Sequence, residues 1–201
     1  MEMARFALST CFQEHISRAL SDCGIEESSF TCEPEAKTSF GKGMGRGESR
    51  NHDLLMVGEN TLIGVEAKVS EPYDVQIKAK RNKVKDQTRI NKFIEFLYGN
   101  DTPDNVEDLY YQLFSATVGS IKEAERRGIN NVIVLVIVFK GRVDEERDYC
   151  KKVSDNNEAF AAFCDSLHLK DNQYINLPGS PEIKCWIKKT DVFVNSSYDW
   201  D

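Results

Sequence analysis

Asn131 to Phe139, NVIVLVIVF, is apolar after its first residue and mostly β-branched. Such a run reads as a strand covered on both faces. Tyr110 to Arg127, just before it, has the spacing of a long helix. Tyr110, Leu113, Phe114, Thr117, Ile121 and Ala124 form its apolar stripe, Ala116 and Gly119 allow close packing on another side, and Gly128 ends it. A long helix leading straight into a buried strand is a crossover back into the same sheet.

A second constraint lies upstream, in His52 to Lys68, HDLLMVGENTLIGVEAK. Two short apolar segments flank the turn Gly58-Glu59-Asn60, the pattern of a hairpin. Acid stands where buried strands rarely carry it: Asp53 opens the first strand, and Glu66 and Lys68 interrupt the second. Strand side chains alternate faces, so Glu66 and Lys68 share one, about 6.6 Å apart at Cα. Antiparallel pairing across the turn brings Asp53 near both. Two chemistries fit this convergence. One is a cross-strand salt bridge on a half-exposed sheet face. The other is a divalent-metal site, in which Asp53, Glu66, the backbone carbonyl of Ala67 and waters supply the oxygens that Mg²⁺ prefers, with Lys68 beside the attacking water.

Asp at a strand start, a tight turn, and an apolar strand ending in Glu-x-Lys resembles the PD-(D/E)XK nuclease superfamily. Asp53, Glu66 and Lys68 match its motif, and His52 stands where the motif's name has Pro. The stretches VEAKVSEP (65–72) and YYQLFSATVGSIKEAERRG (110–128) look like a small, uncharacterised bacterial branch of it. The likeness spans roughly residues 30 to 140. It implies a restriction-endonuclease-like α/β (α+β) core, a mixed central sheet flanked by helices in the order αβββαβ. It also implies Mg²⁺- or Mn²⁺-dependent hydrolysis of nucleic-acid phosphodiesters, DNA before RNA. In related nucleases a Gln on the helix after the Glu-x-Lys strand approaches the site, which makes Gln112 a candidate; a surface amide is the alternative. The first helix often adds an acid, which would be Glu14, against a surface Glu14–Arg18 pair. Cutting both strands of a duplex needs two sites, so a homodimer fits. A catalytically inactive nucleic-acid-binding or interaction module on the same fold is the rival reading, and an unrelated α/β protein with a surface salt bridge is a third.

Charge distribution bears on the partner. The net charge of −7 argues against indiscriminate nucleic-acid coating. Between Gln76 and Lys92, seven basic residues stand against Asp86, a local +6, and Lys37, Lys42, Arg46 and Arg50 stand against Glu48. Both segments flank the hairpin, where cations could neutralise phosphates; a solvated charged face is the alternative. The next expected helix, near Asp86 to Tyr98, carries Lys85, Arg89 and Lys92 along one stripe beside its apolar face. The alternating glycines of Gly41 to Gly47, with Lys42 and Arg46, suggest a basic lid or an ordinary surface loop.

With 201 residues and 40% apolar content, the chain suits one domain, with a C-terminal extension from about 141. Ser28 to Phe40 is read as a first strand, Arg142 to Asn157 as a loop or short helix, Glu158 to Leu167 as a short helix, and Ile183 to Lys188 as a final strand. No apolar run is long enough to span a bilayer, and the six cysteines contain no CxxC pair. A cytoplasmic protein with reduced thiols is expected.

Overall fold

The computed structural model describes residues 10–41, 49–69, 71–82, 84–140 and 147–193, without the side chains of 10, 11, 84–86, 147–150 and 193. In chain order the elements are α1 (Thr10–Asp22), β1 (Thr31–Pro34), β2 (Lys37–Ser39), β3 (Ser49–Asn51), β4 (Leu54–Val57) and β5 (Thr61–Lys68). Then come α2 (Ile77–Lys80), α3 (Val84–Tyr98), α4 (Tyr111–Arg127), β6 (Asn131–Lys140), α5 (Arg147–Ser166), β7 (Ile175–Leu177) and β8 (Ser180–Phe193). Among the described residues the protein is thus mixed α/β, with five α-helices.

Among the described residues, six strands form a mixed central sheet in the order β1-β4-β5-β6-β8-β7. β5, β6 and β8 run parallel, level from Thr61, Asn131 and Lys184 to Lys68, Val138 and Asp191. β4 is antiparallel to β5, β1 to β4 and β7 to β8. Strand alternation divides the core in two. Ile63, Val65, Ile133 and Leu135 pack on Phe12, Ile16 and Leu20 of α1. Leu62, Val132, Val134 and Val136 pack on the other face with residues of α3, α4 and α5. Val132 to Phe139 are all buried, as a strand covered on both faces requires. Gly128, at φ 71, ends α4 and sends its N–H back to the carbonyls of Ala124 and Glu125.

The stretch expected to be one strand near Ser28 to Phe40 is divided. β1–β2 and β3–β4 form a continuous antiparallel ribbon, with Pro34 opposite Leu54 and Lys37 opposite Asn51. Glu35 N–H to Asp53 O (3.1 Å) and His52 N–H to Ala36 O (3.0 Å) bridge the gap. The ribbon bends there, with Glu35 at φ 49, and leaves the central sheet as the two-stranded β2–β3 sheet. This outer part lies on α4 at Gly119, where an added Cβ would come within 3.1 Å of Arg50 Cβ.

Beyond residue 140 the expected loop and short helix are one helix, α5, twenty residues long. Its apolar periodicity is interrupted because Asn156 occupies a buried position, donating to the Glu71 carbonyl at 2.9 Å. β8 runs past Lys188 to Phe193 because its polar end lies at the sheet edge, where Asp191 takes Lys140 Nζ at 2.6 Å. The segment expected as an extension therefore supplies two strands of the central sheet. Among the described residues, no helix is long and apolar enough to cross a membrane.

Candidate active site

The hairpin places its acids as its turn requires. β4 pairs with β5 from Val57 opposite Leu62 to Leu54 opposite Val65, so Asp53 is level with Glu66 one step further on. Glu66 and Lys68 alternate with Val65 and Ala67 and therefore face α4, on the same side as Leu62. Asp53 Oδ2 accepts the Ala67 N–H at 2.7 Å. A strand residue's N–H and C=O point to the same edge, so the Ala67 carbonyl points toward Asp53's side, past the end of β4.

Glu66 is 5% exposed. A carboxylate buried this far needs partners on both oxygens, and it has them. Arg50 Nη2 donates to Oε2, Gln112 Nε2 donates to Oε1, and Lys68 Nζ lies 3.5 Å from Oε1. Arg50 Nη1 also donates to Ser115 Oγ at 3.3 Å, and Ser115 Oγ donates to the Gln112 carbonyl at 3.0 Å. Arg50, Glu66, Gln112 and Ser115 thus close a ring of hydrogen bonds between the bent ribbon, β5 and the first turns of α4. Burial lowers the Arg50 guanidinium to about 10, against the opposing pull of Asp53.

Lys68, also 5% exposed, lies 3.8 Å from Glu71 Oε1 and 5.8 Å from the centre of the Tyr73 ring. Burial lowers its pKa, and the charges of Glu71 and Asp53 oppose that shift. A cavity of about 330 Å³, lined by Arg50, Pro72, Asp74, Tyr111, Gln112 and Ser115, opens beside this cluster. A larger one, about 860 Å³, lies elsewhere, among Phe40, Lys92, Lys122, Arg126 and Pro178, and touches none of the clustered acids.

Asp53, Glu66 and Lys68 are therefore brought together around Ala67, and Gln112, which the resemblance named, bonds to Glu66. Glu14 is not. It is exposed on α1, which covers the opposite face of the sheet, because Phe12 and Ile16 take the inward positions of that helix. Arg89 does not join an exposed basic stripe either. It is 4% exposed and donates to the Tyr111 hydroxyl at 3.1 Å, since its position falls on the packed side of α3 beside Ile90 and Phe93. Arg50 is turned inward onto Glu66 instead of being displayed to solvent. Lys92 is partly exposed and lines the 860 Å³ cavity. Lys42, Arg46 and the Lys85 side chain lie outside the described residues, as does most of the glycine-rich segment. The local +6 is partly cancelled, because Lys78 pairs with Asp108, Lys80 with Asp74 and Arg81 with Glu107.

Three parts of the site escape sequence reasoning. Ser115 looks like one more small helix residue. Tyr73, fully buried under Lys68, follows a proline in what reads as a loop. His52, 1% exposed with Nε2 3.0 Å from Thr38 Oγ1, is held neutral by burial, its pKa pushed down to about 3. It packs over Gly64, and a glycine inside a strand is a readable sign of such close approach.

Among the described residues, no group of three or more His, Cys, Asp or Glu could hold a metal. The model of DUF6946, a domain of unknown function, matches residues 1–191, and the chain belongs to that family. No curated protein and no solved structure matches it.

Proposed function

We propose that this protein is a metal-dependent nuclease that hydrolyses phosphodiester bonds of nucleic acid, DNA before RNA, on a restriction-endonuclease-like core. The observation that carries the reading is Asp53, next to Leu54 of β4, accepting through Oδ2 the N–H of Ala67, the residue between Glu66 and Lys68 of β5. The chain order supports it: α1, β1, β4, β5, α4 and β6 give αβββαβ, with β2–β3, α2 and α3 as insertions.

Asp53, Glu66 and the Ala67 carbonyl are hard oxygen donors of the kind Mg²⁺ and Mn²⁺ take. Asp53 Oδ1 accepts no hydrogen bond from the described residues. These three groups would hold the ion, Glu66 once Arg50 releases Oε2. Such an ion polarises a phosphoryl oxygen and lowers the pKa of its water. The protein's own side chains supply the rest. Lys68, an ammonium in a site largely closed to water, stabilises charge building on the phosphate or orients the attacking water. Gln112 fixes the direction of the Glu66 carboxylate. A second copy of the chain would bring the site needed for the other strand of a duplex.

One contact favours the rival reading. Arg50 neutralises Glu66 internally, the state that a non-catalytic nucleic-acid-binding module would keep.

The deciding experiment is cleavage of labelled single- and double-stranded DNA and RNA with Mg²⁺ or Mn²⁺, comparing wild type with Lys68→Ala. Cleavage by wild type that the variant loses is the expected result. Absence of cleavage on every substrate, with Mn²⁺ affinity unchanged in Asp53→Ala, Glu66→Ala protein, would favour the binding module.

A further inference from the structure

Glu66 Oε2 is held by a guanidinium that belongs to the same bent ribbon as Asp53, and this contact has a chemical consequence if the site takes a metal. A divalent ion and a guanidinium compete for the same carboxylate oxygen. We infer that Arg50 is an exchange residue: it holds Glu66 while no cation is bound, and on release from Glu66 it binds a phosphodiester of the substrate. The inference rests on the nuclease reading and assigns a substrate-binding residue to that site.

Three features carry it. Arg50 reaches Glu66 from outside the central sheet, on β3, and not from a neighbouring strand of that sheet. It lines the 330 Å³ cavity beside the acids, which gives the freed side chain a space open to a ligand. Its donors are also incompletely used: Nη2 meets Glu66 and Nη1 meets Ser115, while the buried Nε has no hydrogen-bond partner among the described residues. The Nε–Nη edge of a guanidinium is the fork that grips two oxygens of a phosphate. A buried donor without an acceptor is costly, so an anion beside Arg50 would satisfy a group that the described residues leave unsatisfied.

Ser115 keeps the guanidinium near the cavity when Glu66 lets go. Metal and phosphate binding then favour one another, because each stabilises the released position of Arg50. Such coupling is reciprocal by linkage.

The test is calorimetry of Mn²⁺ binding to the full chain, as wild type, Arg50→Gln and Arg50→Lys, each with and without a hydrolysis-resistant phosphorothioate DNA oligonucleotide. Arg50→Gln is expected to bind Mn²⁺ roughly ten- to a hundredfold tighter than wild type, the equivalent of one charge-assisted hydrogen bond. The oligonucleotide is expected to tighten Mn²⁺ binding more in wild type than in Arg50→Gln, where only the direct contact between the ion and the phosphate remains. Arg50→Lys keeps the charge and protects the fold. It should fall between the two, and it decides the matter if Arg50→Gln does not fold. Mn²⁺ affinity equal or weaker in the variants, with wild type binding Mn²⁺ through Glu66, overturns the exchange and leaves the nuclease reading standing. No Mn²⁺ binding by any of the three proteins overturns both.

Discussion

Gly64 of β5 and Ser120 of α4 touch: a methyl group on Gly64 would lie 2.1 Å from Ser120 Oγ and 3.3 Å from His52 Nδ1. The helix carrying Gln112 and Ser115 sits this close to the strand carrying Glu66 because one side chain is missing there. Gly64→Ala should cost about 1–3 kcal/mol through overpacking, read as a lower urea midpoint. Ser120 Oγ has no hydrogen-bond partner among the described residues, so trimming it loses little. The double variant Gly64→Ala, Ser120→Gly should regain most of the loss, and a strictly additive pair would contradict the contact.

His52 makes stability depend on pH. Its folded pKa is pushed down to about 3 by burial, whereas the unfolded side chain titrates near its ordinary value of 6.5. Between these values the unfolded state binds the proton and the folded state does not. The contribution is therefore intact above pH 6.5 and is lost as pH falls toward 3. Across that window wild type should lose up to about 1.4 kcal/mol per pH unit more than His52→Gln, measured by urea unfolding at several pH values. Equal slopes for the two proteins would place His52 in contact with water.

Arg89 and Lys92 should separate in kind. Arg89→Ala removes a buried side chain bonded to Tyr111 and should lower stability by about 2 kcal/mol or more. Lys92→Ala should leave the melting temperature nearly unchanged. A lower salt slope of DNA binding in Arg89→Ala, with wild-type stability, would show instead that this guanidinium reaches phosphate.

Thiol reactivity should follow burial. Cys32 is exposed, whereas burial pushes the Cys185 and Cys164 thiols up to about 12 and Cys23 to about 11. In a variant with Cys11 and Cys150 replaced by Ser, a thiol reagent at pH 8 should modify Cys32 first. Cys185, fully enclosed by the core, should react only as fast as the protein opens. Early modification of Cys185 would mean that β8 is accessible in the native state.

What could be read from the residues was what a period or a turn enforces. The run 131–139 has one physical solution, and the hairpin fixes the level of Asp53 and Glu66 by counting back from Gly58 to Asn60. Gln112 came from resemblance, and its bond to Glu66 adds the geometry. The ribbon's bend was not legible, because nothing in Glu35 or Asp53 states that the strand pair leaves the sheet there. Arg50 was consequently read as an outward cation for phosphate or solvent, and its bond to Glu66 was missed. Arg89 was misread for a related reason: a basic residue next to an apolar stripe can fall on either side of the boundary, and only the packing of α3 decides it. α5 was hidden by Asn156, a polar residue on the buried side.

The ring of bonds around Glu66 also bears on how the protein folds. Its contacts span long stretches of chain: Glu66 to Gln112 crosses 46 positions and Arg50 to Ser115 crosses 65. Contacts of such separation form only after long loops have closed. The β4–β5 hairpin can form early by itself, but it then presents Glu66 as an unpaired acid on a strand without its helix. The carboxylate acquires its partners only when α4 docks and the ribbon folds over it, so protection of the amides around Gln112 and Ser115 from hydrogen exchange would mark the last stage of maturation.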